Sequence, residues 1–322
     1  MQNKNSKGRG DQFSPSPFYK DKDRKGEIIM LYKKKSPLFI FLIPGLLLMT
    51  IFLYEPFIEN IINSFYDMKS VIQLPGQEWK FIGYENYEKL FSDPKVKIAI
   101  LNSLKMMVLS VVFQVGIAFI LAVLVGLIKK GQHIFRTIYF FPIVISATAI
   151  GLLFKLFYNY SGGMLNQLLK ILDMKPFNWL SVETAFAMIS VPILWSYVGF
   201  YFVIILTGLN AISDDIYEAA AIDGCPRWKQ VFYITIPLLR GVLCTCITLA
   251  VTGALKVFDL PWVIVPKGAP QGVTHFLGTY MYEQTFTISN IDYGSTIAFL
   301  IVILGVIVSK AVSKIMRPDA NL

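Results

Sequence analysis

Charge is scarce in this 322-residue chain: Asp, Glu, Lys and Arg make up 16% of it, against 55% hydrophobic side chains. A soluble domain carries about 25% charged residues. With a mean hydropathy of +0.56, the chain has more apolar surface than a water-soluble core of this size can hide. Most soluble enzymes are excluded on that ground, and so is disorder outside local segments. Cysteine is equally thin. Cys225, Cys244 and Cys246 form no C-x-x-C pair and no disulfide framework, and they read as buried structural residues. The two histidines, His133 and His275, have no ligand-like sequence neighbours, so no metal site is expected. Phosphate-cradling G-x-x-x-x-G-K-[ST] is missing, as are G-x-S-x-G and H-E-x-x-H. No catalytic residues are expected, and the chain does not read as an enzyme.

What the sequence does hold is long charge-free windows: Leu38–Tyr54, Met106–Ile128, Thr137–Phe154, Thr184–Ser213, Gly241–Leu255 and Tyr293–Ser309. Crossing a hydrocarbon core of about 30 Å takes about 20 helical residues at 1.5 Å each. With their flanks, all six windows reach. At this length only helices satisfy their own backbone groups in lipid. The expected fold is an all-α polytopic membrane protein with six transmembrane helices, near 37–57, 102–128, 137–157, 186–208, 240–262 and 293–313. The first span reads as an uncleaved anchor: its basic leader is long, and no small-x-small cleavage site closes the apolar run.

The balance of 30 Lys and Arg against 21 Asp and Glu is a topology signal rather than a nucleic-acid signal. Ten basic residues precede span 1, and three lie in each of the segments after spans 2, 4 and 6. The opposite side carries eight. The positive-inside rule then puts both termini in the cytoplasm of a multi-pass plasma or inner-membrane protein. The polar tail, 1–36, reads as disordered, with Lys33, Lys34 and Lys35 at anionic headgroups. Permease-like structure is expected over 37–317. Lys267-Gly268-Ala269-Pro270 marks a turn in the third outside loop.

One cytoplasmic segment exceeds a connector: ISDDIYEAAAIDGCPRWKQVFYITIP, residues 212–237. Ser213 or Asp215 can cap a helix, and Asp215-x-x-Glu218 fits a capping box. Gly224 supplies a stop, Pro226 a good first residue for a second helix, and Pro237 a break before span 5. Ala219, Ala220 and Ala221 leave a surface poor in side chains. Two readings stand: an amphipathic helix resting on the membrane, or a docking site that another backbone approaches closely.

The string Glu218-Ala219-Ala220-x-x-Asp223-Gly224, with Ile234-x-x-Pro237-Leu238 after it, resembles the EAA loop of ABC-importer permeases. The likeness is to the carbohydrate-uptake class, similar to maltose-type sugar permeases, and it extends over nearly the whole chain after the tail. Phe81-Ile82-Gly83-Tyr84-Glu85-Asn86-Tyr87, Phe135-Arg136-Thr137-x-x-Phe140-x-Pro142, Trp195-Ser196-Tyr197-x-Gly199-Phe200 and Phe258-Asp259 follow in the family's order. Cys225 and Ala269 stand where the family more often has Ala and Gly.

The resemblance implies the type I ABC-importer permease architecture. It also implies that Glu218, Ala219, Ala220, Asp223 and Gly224 form a coupling helix seated in a cytoplasmic ATPase. Implied partners are a second homologous permease, two ATPase subunits that bind the ATP and Mg, and an extracytoplasmic solute-binding protein. No cofactor is expected in this chain. For a sugar path, the side chains that could stack or hydrogen-bond are Asn102, Gln114, Trp195, Tyr197, Tyr201 and Lys256. The aromatic pair Trp195 and Tyr197 reads equally as an interfacial belt, and Gln114 as an interhelical hydrogen bond. Lys256 lies in the outer part of span 5, where an intramembrane charge faces a cavity or a partner, pairs with Asp259, or snorkels. The sugar itself is left open, between mono- and oligosaccharide or a phosphorylated polyol. A secondary, ion-driven transporter and a non-transporting scaffold or signalling subunit are the rival readings. No inverted repeat or paired intramembrane carboxylate supports the first.

Overall fold

The structure is a computed structural model that describes residues 36–68, 79–128 and 130–316. The basic tail, with Lys33 to Lys35, lies outside the described residues. Two units meet at Pro56 in the sequence. The first contains α1 (Ser36–Met49) and a π-turn, Thr50–Tyr54; α2 (Glu55–Asn63) continues the chain.

The second unit is helical apart from one short ribbon, β1 (Tyr66–Asp67) and β2 (Lys80–Phe81), antiparallel with Tyr66 opposite Phe81. Then come α3 (Glu85–Ser92) and α4 (Pro94–Leu109), a π-turn Ser110–Val115, and α5 (Gly116–Gly126). α6 (Gln132–Val144), α7 (Ala147–Phe157), α8 (Met164–Ile171) and the long α9 (Ala185–Leu209) follow. The 212–237 segment holds α10 (Asp214–Ile222), α11 (Arg227–Gln230), a π-turn Val231–Thr235 and α12 (Ile236–Leu238). α13 (Arg240–Leu255), α14 (Asp259–Ile264), α15 (Leu277–Tyr282), a π-turn Glu283–Thr287 and α16 (Ile291–Met316) complete the chain.

Five helical runs are long and apolar enough to cross a bilayer: Phe39–Asn63, Pro94–Gly126, Ala185–Leu209, Arg240–Ile264 and Ile291–Ile315. The stretch expected as a straight third span is instead the pair α6 and α7, bent by 85°. Pro142 removes one helical donor, and Ile145 (ψ 138°) and Ser146 (ψ 132°) are extended between the two helices. The pair nonetheless tracks α9 from end to end. Gln132 at its start accepts a hydrogen bond from Asn210 (3.0 Å), and Tyr158 at its end donates to the Met188 carbonyl (2.9 Å). Those 22 positions of α9 correspond to roughly 33 Å at 1.5 Å per residue, a full bilayer core. The bent pair therefore makes a sixth crossing.

Two apolar clusters hold the bundle. One joins Met106 of α4, Ile189 of α9, Leu255 of α13, Phe276, and Tyr293 and Ile297 of α16. The other sets Ala118 and Ala122 of α5 against Phe202, Ile205 and Leu206 of α9, with Cys246 of α13. Small residues at such contacts let helices approach closely where lipid offers no hydrophobic driving force. Of the three thiols only Cys246 is fully buried; Cys225 and Cys244 are half-buried, so the structural reading fits one of three.

Candidate functional site

The 212–237 segment is an exposed helical hairpin. Ser213 caps α10, its hydroxyl accepting from the Asp215 N–H at 3.3 Å. Asp215 thus lies inside the first turn, and the capping box expected from Asp215 and Glu218 is not the arrangement formed. α10 ends in a Schellman turn: Cys225 N–H donates to the Ala220 carbonyl (2.9 Å) and Gly224 N–H to that of Ala221 (3.1 Å). Gly224 takes φ +73°, and a Cβ there would meet nothing within 4 Å. Pro226 stands one place earlier than expected, as the N-cap of α11. Gln230 closes the turn by donating to the Cys225 carbonyl at 2.9 Å. Tyr217 and Thr235 bridge the two arms at 3.0 Å. Pro237 lies within α12, and the chain turns at Leu239 instead.

Glu218, Ala219, Asp223 and Gly224 are exposed on this hairpin and Ala220 is half-buried. Around them Ile222 (87%), Trp228 (62%) and Tyr233 (75%) also face outward. The turn is braced from within, while its apolar tips have no partner in the described chain.

The second feature is a cavity of about 470 Å³ in the bundle. Three helices break at it. The π-turn Ser110–Val115 contributes Ser110 and Gln114; the break between α6 and α7 contributes Ile145 and Ala147; the break between α13 and α14 contributes Lys256 and Phe258. Ile193 of the first core cluster and Tyr201 of the second also line it, so both clusters contribute to its wall. Irregular backbone at membrane depth persists where it lines a cavity or is buried in protein. π-turns, which add a residue to the helical repeat, concentrate at functional sites.

Four of the six candidate path residues, Gln114, Tyr197, Tyr201 and Lys256, line this cavity together. Trp195 does not; it is half exposed and packs on Phe154, with centroids 6.1 Å apart. Gln114 also makes the interhelical bond weighed for it, donating to the Ile193 carbonyl at 3.0 Å. Asn102 is a loop clamp that donates to the carbonyls of Val273 (2.7 Å) and His275 (2.9 Å). Lys256 ends α13 and faces the cavity with Asp259, but the two form no ion pair; the one ionic contact among the described residues is His275–Glu283. Ser110, Ser196 and Asp259 also line the cavity and were not anticipated. Ser110 and Asp259 sit at helix breaks, which no apolar window displays, whereas Ser196 lies within the unbroken α9.

Beyond the cavity, a polar cluster knits residues 265–293 to the start of α4. Asp93 accepts from the hydroxyls of Tyr280 (2.6 Å) and Tyr293 (2.8 Å). The His275 Nε2 lies 3.0 Å from a Glu283 carboxylate oxygen, both buried, without the alignment of a hydrogen bond. Burial, reinforced by nearby Lys95 and opposed by Asp93, pushes the His275 pKa down to about 4. No set of three His, Cys, Asp or Glu side chains able to hold a metal occurs among the described residues.

The profile of one family, described as the binding-protein-dependent transport system inner membrane component, matches residues 114–321. The chain belongs to that family. A probable ABC transporter permease of Bacillus subtilis strain 168, YurN, is 34% identical over 89% of this chain and 98% of its own. The lactose transport system permease LacF of Rhizobium radiobacter is 30% identical over 84% of this chain and 90% of its own. The fold matches a chain in the crystal structure of a bacterial ABC transporter that imports alginate, with a TM-score of 0.77 and 21% identity, covering 88% of this chain and 96% of that one. A member of the family is a multi-pass inner-membrane transport component. The apolar crossing helices and the cavity at three of their breaks agree with that membership.

Proposed function

We infer that this chain is one permease half of an ATP-driven importer for a sugar or oligosaccharide. The observation that carries the reading is the cavity itself, placed where three crossing helices break and lined by hydroxyl, amide, aromatic and ammonium groups. A few polar groups beside aromatic rings, set in a largely apolar lining, suit the hydroxyls and apolar ring faces of a sugar, because each hydroxyl removed from water needs a replacement partner. The lactose permeation role of LacF and the alginate transporter's fold support a carbohydrate cargo.

In this reading, the path residues are Gln114, Tyr197, Tyr201 and Lys256. The coupling element is Glu218, Ala219, Ala220, Asp223 and Gly224, on the hairpin whose apolar tips Ile222 and Trp228 seat in a groove of an ATPase subunit. That ATPase holds ATP and Mg. A second homologous permease completes the path, a solute-binding protein delivers the cargo to the opposite face, and both termini are cytoplasmic.

The test is ATP-driven uptake of maltose, lactose and other sugars by the reconstituted complex, with two variants. Gly224→Asp carries about 1–2 kcal/mol of left-handed strain, but its Cβ meets open space on an exposed turn, so the fold is expected to survive it. It is expected to insert and assemble with at least tenfold less ATP-driven uptake. Lys256→Met is expected to reduce uptake several-fold while membrane insertion stays intact. Full uptake by Gly224→Asp would sink the coupling role, and full uptake by Lys256→Met would remove that residue from the path. Uptake that persists without ATP and follows an ion gradient would point to a secondary transporter.

A further inference from the structure

The chain between α7 and α9 carries an apolar surface that neither core cluster nor the cavity uses. At 100° per residue, Met164, Leu168, Ile171 and Leu172 fall on one strip along and just past α8, the spacing of a single helical face. All four are exposed, at 51%, 47%, 77% and 67%. Met174 and Phe177 extend the strip beyond the helix and are exposed as well. At the edge of the strip, beside Leu172, Leu165 packs on the first core cluster.

The strip is held outward by design of the loop. Asn166, buried on the side away from it, donates to the carbonyls of Tyr160 and Phe177, both at 3.1 Å. Its own oxygen accepts from Phe177 N–H and the Trp179 indole, both at 3.0 Å. All four hydrogen-bonding capacities of that amide are filled. Rolling α8 to hide the strip would break them.

The position of the strip names its occupant. α8 follows α7, whose exposed Leu152, Leu153 and Leu156 lie on a membrane crossing and face lipid. The strip begins eight residues after Leu156, at the end of α9 remote from the 212–237 hairpin, as the Tyr158–Met188 bond fixes. It therefore continues a lipid-facing surface at the height where the bilayer ends. Lys175 stands between Met174 and Phe177, exposed, with a long apolar stem and a cationic tip that can reach the headgroups.

We propose that α8 and residues 172–177 form an interfacial foot, seated in the headgroup–acyl boundary of the leaflet opposite the hairpin. The foot fixes the far end of α7, whose near end lines the cavity with Ala147 and Ile150.

The proposal rests on the multi-pass fold and not on the identity of the cargo. Its test uses the assembled transporter with Cys225 and Cys244 replaced by Ala, and a bimane probe on Leu168→Cys, Ile171→Cys or Gln167→Cys. The complex is reconstituted in phosphatidylcholine–phosphatidylglycerol vesicles, with and without lipids carrying a nitroxide near the headgroup. Probes at 168 and 171 are expected to be quenched several-fold more than the probe at 167, and to stay so when solute-binding protein is added. Two positions on the strip keep the test valid if either variant folds poorly. Equal quenching at all three sites would overturn the proposal. So would probes at 168 and 171 that escape lipid nitroxide because the second permease covers them, or that become shielded only when solute-binding protein docks.

Discussion

Asp93 shows how much a single residue can carry outside the cavity. Its Oδ1 accepts from the Lys95 N–H at 2.8 Å and so caps α4, while its Oδ2 takes the two tyrosine hydroxyls. Burial alone would raise its pKa. The bonds from Tyr280, Tyr293 and the Lys95 and Val96 amides outweigh that and hold the carboxyl below its ordinary 3.8. A carboxylate depressed in this way stabilises the fold above its unfolded pKa, and the contribution fades as pH falls through the lower folded value. Between roughly pH 5 and 8 Asp93 therefore adds no pH dependence to stability. Asp93→Ala removes a helix cap and leaves two hydroxyls without an acceptor, a loss of about 2–4 kcal/mol, and Asp93→Asn should lose less. Thermal unfolding of the purified protein checks this; a midpoint unchanged in Asp93→Ala would show that the hub contributes nothing. None of this was legible in the sequence. Pro94 after Asp93 signals a cap, but Tyr280 and Tyr293 lie 187 and 200 residues away. The His275–Glu283 contact is only eight residues apart in sequence, yet it escapes a reading that gave His275 no ligand-like neighbours.

At the scale of the element, apolar windows locate helices well and breaks poorly. A window reports that a stretch prefers lipid to water, and that preference is indifferent to a bend. Thus 186–208 and 240–262 correspond closely to Ala185–Leu209 and Arg240–Ile264, whereas 137–157 conceals an 85° corner. The corner is stabilised by a contact that only glycine permits. A Cβ at Gly199 of α9 would overlap the Tyr139 carbonyl of α6, so the two backbones touch and set α6 in place before the chain turns into α7. Overpacking a core usually costs about 1–3 kcal/mol; here the obstacle is backbone, which has no rotamer to yield. Gly199→Leu is expected to cost at least about 3 kcal/mol and to lower both the yield of folded protein and its melting temperature. Gly241→Ala in α13, where a Cβ meets nothing within 4 Å, should be neutral or slightly stabilising. Equal melting of Gly199→Leu and the parent would mean that α6 does not rest on that glycine.

At the scale of the whole molecule, legibility follows the kind of force that acts. The proposed orientation rests on the uneven distribution of Lys and Arg, a one-dimensional record that needs no packing to be read. The hairpin is equally readable, because its cap, its left-handed glycine and its second helix are all local signals. A cavity among four of the crossings has no local signal, since Gln114, Tyr197 and Lys256 meet across 142 positions of chain and only packing brings them to one volume. The orientation can be tested apart from the cargo. Asn178 and Glu218 are both exposed and lie beyond opposite ends of α9, so a single crossing must separate them. With Cys225 and Cys244 replaced by Ala, Asn178→Cys should react with a membrane-impermeant maleimide in intact cells. Glu218→Cys should react only after the membrane is opened. The reverse pattern would put the hairpin outside, where no nucleotide-driven partner could reach it, and the charge asymmetry would then be no guide to the fold. Reaction of both sites from one side would mean that α9 does not cross at all, and the cavity could not be a passage between two compartments.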